Sequence, residues 1–163
     1  MVELGLFQDE RVELLYGVIV AMSPKGAPHD SAIDRLNERL VTALAGQATV
    51  RIKNSFAASD GSEPEPDVAV VPRADYRKEH PSRAFVIIEV ADSSLETDRG
   101  TKARLYAECG VEEYWIVNVR DGLVEVHSEI VRGSYARVIP YRSGSSVRLA
   151  AFPQVEIAVN DVL

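Results

Sequence analysis

Three residues of this sequence have the types and surroundings for metal-assisted chemistry on a phosphate: Asp67, Glu89 and Lys102. Glu89 closes the apolar run Ala84-Phe85-Val86-Ile87-Ile88, where an ionised carboxylate without a partner is costly. Side chains alternate along a strand, so Glu89 is expected to share a face with Phe85, Ile87 and Ala91. Taken alone, Glu89 is equally a strand end emerging into water. Asp67 shifts that balance. It follows Pro66 and precedes Val68-Ala69-Val70-Val71, a position that an Asx-type turn also explains. Two carboxylates at the ends of two apolar strands, however, suit a hard dication. Magnesium takes oxygen ligands, usually one or two carboxylates with water and substrate phosphate. Bound there, it polarises a phosphoryl oxygen and lowers the pKa of its water.

Lys102 shares a helical face with Asp98 and Tyr106, each four residues away. An Asp98–Lys102 helix pair alone contributes only some tenths of a kcal/mol. Turned toward the carboxylates instead, the ammonium could orient an attacking water or neutralise charge on pentavalent phosphorus. His29 stands four residues before Ile33, on the apolar face of a helix, where a histidine is most often a satisfied near-core residue. Glu13, between Val12 and Leu14, has the place of an exposed strand residue. His80 and His127 have no comparable context.

The elements that hold these residues follow from periodicity. Arg11 to Leu15 and Val18 to Met22 flank Tyr16-Gly17, which predicts a tight hairpin. From about His29 to Ala45, Ile33, Leu36, Leu40 and Leu44 fall on one helical face, with Asp34, Arg35, Glu38 and Arg39 turned away and Gly46 as a stop. Strands are expected over Val50 to Ala58, from Pro66 to Val71, over Arg83 to Ala91 as a doubly covered central strand, and over Glu113 to Val119. A second helix spans Ser94 to Cys109 and closes at Gly110. Leu123 to Glu129, Tyr135 to Tyr141 and Val147 to Ala150 complete a meander. The mixed order, with two main helices against one larger sheet, predicts an α/β sandwich.

Composition sets the outer bounds. A chain of 163 residues, 46% hydrophobic and 26% charged, has the size and balance of one globular domain, expected here over residues 1–163. No apolar run approaches the roughly 20 residues that span a bilayer. Met1 to Glu10 lacks a basic and then apolar leader, and the lone Cys109 rules out an internal disulfide framework. A cytoplasmic protein with no membrane partner is expected. The net charge of −7 counts against tight nonspecific duplex binding by a monomer, since phosphate neutralisation supplies most of that affinity. One cysteine and three scattered histidines cannot build a typical structural zinc site. There is no G-x-x-x-x-G-K-[ST] phosphate loop, and Ser23, Ser93 and Ser94 lack a G-x-S-x-G elbow. Tyr114-Trp115-Ile116-Val117 is core rather than a base-stacking platform.

Pro66-Asp67, Glu89-Val90-Ala91-Asp92-Ser93-Ser94-Leu95, Asp98-Arg99, Lys102, Tyr106 and Tyr114-Trp115-Ile116-Val117, in that order, resemble the Uma-type family of bacteria, a branch of the PD-(D/E)xK nuclease superfamily. Glu13-Leu14 with Gly17, and Ser23-Pro24 with His29, extend the resemblance to roughly residues 11 to 130. It implies a restriction-endonuclease-like core, a mixed central sheet flanked by helices, here with an N-terminal hairpin and C-terminal antiparallel strands. It implies a nuclease acting on nucleic acid, DNA above all, with Asp67 and Glu89 binding magnesium or manganese and Lys102 assisting the water. The general superfamily pattern puts its lysine two residues after the second acid, where this chain has Ala91; in the branch it resembles, the lysine stands in the next helix, here Lys102. The same resemblance makes Glu13 an additional acid and His29 a site residue that contacts phosphate or relays a proton. Cores of this type often pair, so a homodimer is expected. The competing reading is a noncatalytic protein that retains the nuclease fold, since fold alone does not certify activity.

Overall fold

The computed structural model describes residues 11–163, so the amino-terminal stretch Met1 to Glu10 read above lies outside the described residues. Among the described residues the chain opens with a hairpin of β1 (Val12–Leu15) and β2 (Val18–Ala21), paired from Leu15–Val18 out to Val12–Ala21. Tyr16 and Gly17 both take positive φ, 50° and 75°, the backbone that a two-residue hairpin requires to match strand twist. Helix α1 (Ala27–Leu44) follows, with Pro28 in its first turn, where a missing N–H costs nothing. It ends as Ala45 and Gly46 turn left-handed.

A six-stranded sheet takes the chain from there: β3 (Thr49–Ile52), β4 (Val68–Val71), β5 (Val86–Ala91), β6 (Tyr114–Asn118), β7 (Leu123–Val131) and β8 (Ser134–Arg142) lie side by side in that order. All neighbours are antiparallel except β5 and β6. A parallel pair needs a crossover. It is supplied by a helical segment of three parts: α2 (Leu95–Thr97), a π-helical turn Asp98–Lys102, and α3 (Ala103–Glu108). Pro140, which has no N–H to give a ladder, sits on the edge strand β8. A small pair, β9 (Ser146–Arg148) with β10 (Glu156–Ala158), and a 3₁₀ turn Val159–Asp161 end the chain. No helix among the described residues is long and apolar enough to cross a membrane.

Alternation along the strands sorts the sheet into two apolar layers. Val68, Val70, Ile88, Val90, Trp115 and Val117 pack against Ile33, Leu36, Leu40 and Leu44 of α1 and against Val147, Leu149 and Ile157 from the carboxy-terminal strands. Ala69, Val71, Ile87, Tyr114 and Ile116 face the other way, toward Phe56, Ala103 and Tyr106. All six residues of β5 are buried, as expected of a strand covered on both faces.

The mixed sheet, the flanking helices, the N-terminal hairpin and the C-terminal antiparallel strands are as expected, and three local readings are corrected. The strand expected over Val50 to Ala58 stops at Ile52, because Lys53 turns to a φ of 50°. Beyond it Phe56 and Ala57 donate their N–H groups to the carbonyls of Pro64 and Pro81, segments whose prolines cannot return a ladder bond. Phe85 does not share the face of Glu89. It precedes β5 and packs edge-on against Phe152, 5.0 Å between ring centres, in the α1 layer. The last strand of the expected meander, Val147 to Ala150, is instead Ser146–Arg148 and lies outside the six-stranded sheet, because it takes Glu156–Ala158 as its ladder partner, a strand the short apolar pattern there did not disclose.

The carboxy-terminal pair is tied to the sheet by Glu113. Trp115 Nε1 donates to one of its oxygens at 2.6 Å and the Ala150 N–H donates to the other at 2.8 Å. Burial pushes the Glu113 carboxyl up, against these two donors, which pull it down. Glu113→Ala leaves both donors unpaired, and an unsatisfied buried donor costs about 1–3 kcal/mol. Thermal denaturation is expected to show Tm lowered by roughly 5 °C, at about 2–4 °C per kcal/mol for a chain of this size. An unchanged Tm would mean that water replaces the carboxylate there.

Candidate active site

The antiparallel register that pairs Val68 with Ile88 carries Asp67, one residue ahead of β4, to the level of Glu89 on β5. The two acids are joined through the backbone as well. Val90 donates its N–H to Asp67 Oδ2 at 2.8 Å, and the Asp67 N–H donates to Glu89 Oε2 at 3.4 Å. The crossover segment lies above them. Lys102 Nζ, on the π-helical turn, donates to Glu89 Oε1 at 3.0 Å, and the Tyr106 hydroxyl donates to the same oxygen at 2.8 Å. Lys102 Nζ also lies 3.2 Å from Glu13 Oε1, which arrives from the hairpin, and 3.9 Å from Asp98 Oδ1.

All of these side chains are recessed: Glu89 is 3% exposed, Asp67 7%, Lys102 7% and Glu13 8%. Three carboxylates, of Glu89, Glu13 and Asp98, therefore surround the Lys102 ammonium, with Asp67 beside Glu89. Burial drives the Glu89 carboxyl well above its ordinary pKa, and although Lys102 opposes this, Asp67, Asp98 and Glu13 add to it. Asp98 is raised by burial too. For Asp67, burial is outweighed by His29, the Val90 N–H and Lys102, and its pKa falls below the usual value. Burial would lower the Lys102 ammonium, but Glu89, Glu13 and Asp98 more than offset it, and it stays charged.

His29 lies on α1, which covers the opposite face of the sheet, yet its ring reaches Asp67. Nε2 is 3.2 Å from Asp67 Oδ2, and Nδ1 is 3.1 Å from Asp30 Oδ1, which in turn accepts from Lys53 Nζ at 3.0 Å. The side chains of Asp67, Glu89, Lys102, Glu13 and His29 thus meet in one cluster. Sequence reasoning gave Asp98 the place of a helix ion pair with Lys102, which forms at 3.9 Å, but both are buried, and the Ser94 hydroxyl donates to Asp98 Oδ2 at 2.7 Å. It missed the Tyr106 hydroxyl on Glu89 and the Asp30–Lys53 link behind His29; spacing of four from Lys102 and a place in the ordered motifs were the available signs of Tyr106. His80 pairs with Glu63, on the surface, at 3.6 Å. His127 is buried away from the cluster, 3.5 Å from Glu125, and burial lowers its pKa.

The π-helical turn is pinned at both ends. Ala103 donates its N–H to the carbonyl of Asp98, five residues back, and the Tyr114 hydroxyl donates to the same carbonyl at 3.0 Å. Arg99 forms a forked ion pair with Glu125 on β7, which the register places across Ile116 from Glu89.

Two oxygen-bearing side chains at one level suit a hard cation of the magnesium kind, which asks for one or two carboxylates and takes the rest from water and phosphate. Among the described residues no three His, Cys, Asp or Glu side chains are gathered into a closed metal-binding set. The other Asp67 oxygen takes no hydrogen bond from the described residues, and the excess of buried negative charge is what a dication would offset. The donor set fits.

A mixed sheet with paired acids on neighbouring central strands and a lysine leaning over them defines a restriction-endonuclease-like α/β protein. The chain belongs to the Uma2 family, described as putative restriction endonuclease, whose profile matches residues 2–160. Among solved structures, the chain is similar to a putative nuclease belonging to DUF820 from Anabaena variabilis, with a TM-score of 0.75 over 94% of this chain and 90% of that one, at 14% identity. No curated protein matches the chain. Family and fold together give it a nuclease-like function.

Proposed function

We propose that this protein is a magnesium-dependent endonuclease that hydrolyses phosphodiester bonds of DNA. The observation that carries the reading is the meeting of Asp67 and Glu89 at one level of adjacent strands, with the Lys102 ammonium 3.0 Å from Glu89. Asp67 and Glu89 are the metal ligands. Magnesium or manganese, when bound, polarises the phosphoryl oxygen and makes a nucleophile of water at neutral pH. Lys102 orients the attacking water and offsets charge on the phosphorus. Glu13 holds Lys102 from the hairpin side, and His29 fixes one oxygen of Asp67 and stands ready to contact phosphate or relay a proton. We propose further that residues 1–163 form one domain, that it works in the cytoplasm, and that it pairs as a homodimer. A monomer by light scattering would refute the last.

Calorimetric titration with magnesium tests the metal assignment directly. The parent protein is expected to bind, and Asp67→Ala is expected to lose binding and, with it, nicking of plasmid DNA. Heat of binding unchanged in Asp67→Ala would remove it as a ligand. A parent protein that neither binds magnesium nor manganese nor cuts DNA would support the noncatalytic reading instead, which the net charge of −7 favours.

A further inference from the structure

Asp67 and Glu89 are bonded in the same pattern, with one carboxylate oxygen doubly held and the other open. Asp67 Oδ2 accepts from the Val90 N–H at 2.8 Å and lies 3.2 Å from His29 Nε2, while Oδ1 takes no hydrogen bond from the described residues. Glu89 Oε1 accepts from the Tyr106 hydroxyl at 2.8 Å and from Lys102 Nζ at 3.0 Å. Oε2 has the long 3.4 Å contact from the Asp67 N–H alone among the described residues. A carboxylate oxygen has two lone pairs to offer, so the doubly held oxygens are filled and Oδ1 and Oε2 are left for an ion.

The two donors on Glu89 Oε1 differ in kind. Lys102 ends a flexible stem, and its ammonium is shared among Glu89 at 3.0 Å, Glu13 at 3.2 Å and Asp98 at 3.9 Å. Tyr106 is fully buried, and its hydroxyl donates to Glu89 alone among the described residues. Its ring is wedged between Phe56, edge-on at 6.5 Å, and Tyr114, tilted at 5.1 Å between centres. Asp67, Glu89, Glu13 and Lys102 line a recess of about 120 Å³, whereas Tyr106 stands behind Glu89 and does not line it.

We infer that Tyr106 is a positioning residue: its hydroxyl fixes the plane of the Glu89 carboxylate and presents Oε2 to the metal on the Asp67 side. The inference rests on the nuclease reading above. In that reading Lys102 turns to the attacking water, and a carboxylate held by Lys102 alone would then lose its one firm bond. The terminal torsion of a glutamate is broad, so the side chain does not fix its own plane. A buried ring that is already ordered by packing supplies the missing constraint, and the Tyr106 donor stays in place whichever way the ammonium turns.

Tyr106→Phe keeps the ring and removes one donor, so Tm is expected to stay within a few degrees of the parent. Calorimetry is expected to show magnesium affinity weakened by at least about tenfold, as for other outer partners of metal ligands. Plasmid cleavage should need correspondingly more magnesium, yet reach nearly the parental kcat at saturation with KM for DNA unaltered. Parental magnesium affinity in Tyr106→Phe, or Tm and kcat falling together with no shift in the magnesium midpoint, would overturn the inference. Either result leaves the nuclease reading intact so long as the parent binds metal and cuts, and Asp67→Ala does neither. A fluorotyrosine at position 106 keeps the hydroxyl and reports on the contact without breaking it. Its fluorine resonance is expected to shift as magnesium is added and to stay still in Asp67→Ala. A resonance that stays still while calorimetry shows magnesium bound would also overturn the inference. If the parent protein binds neither magnesium nor manganese, the inference and the nuclease reading fall together.

Discussion

Glu89→Gln is expected to reduce DNA cleavage by roughly a hundredfold or more while leaving Tm equal to that of the parent or higher. On the proposed reading the two effects separate, because Glu89 would serve the chemistry at the expense of the fold. A ligand that touches the ion should cost at least as much as an outer partner, whose loss typically costs about 10–100-fold. The fold has no such need of the charge. Glu89 is buried, and burial together with Asp67, Asp98 and Glu13 works against its ionised form. Glutamine has the same shape and keeps an oxygen for the Tyr106 hydroxyl and the Lys102 ammonium, both of which now donate to Glu89 Oε1. Removing one of several crowded like charges relieves repulsion without opening a cavity. Cleavage assays and thermal melts on the same preparation check both halves. Cleavage at the parental rate would end the assignment of Glu89 as a ligand.

Lys102→Met is expected to do the opposite to stability. Methionine fills a similar volume but strips the ammonium that lies within ion-pair distance of Glu89, Glu13 and Asp98. Removing one partner of a buried ion pair costs about 3–5 kcal/mol, since the charge left behind has neither water nor counter-ion. At about 2–4 °C per kcal/mol, Tm should fall by roughly 10 °C. Cleavage should fall as well, and the melt decides whether any remaining loss reflects unfolding. A folded, stable Lys102→Met protein that still cuts would show that water is oriented by another group.

Much of this site was legible in the chain. Asp67 and Glu89 stand out because each interrupts a strand that is otherwise apolar, and a buried strand tolerates a carboxylate only where it has partners. Lys102 was legible only through the order of motifs around it, because a lysine four residues after an aspartate is commonplace on a helix. What escaped depends on tertiary contact. Asp98 looks like half of an ordinary helix pair until β6 brings the Tyr114 hydroxyl to its backbone and the turn buries its side chain. The truncation of the third strand at Lys53 reflects where Pro64 and Pro81 lie in space, which no local pattern in residues 50–58 records. Phe85 was assigned by counting alternate positions back through a strand that does not begin until Val86.

The widened turn at Asp98–Lys102 bears on how such a protein can change over generations. One extra residue accommodated in a helix is a single-codon event, and successive helical residues are rotated by about 100°. Deleting Gly100 would let an ordinary helix close and would swing Lys102 away from Glu89 without disturbing any strand. Insertion and deletion alone could therefore break or restore the contact between the amine and Glu89, and among sequences of this kind a helix one residue shorter there would mark a chain without that contact.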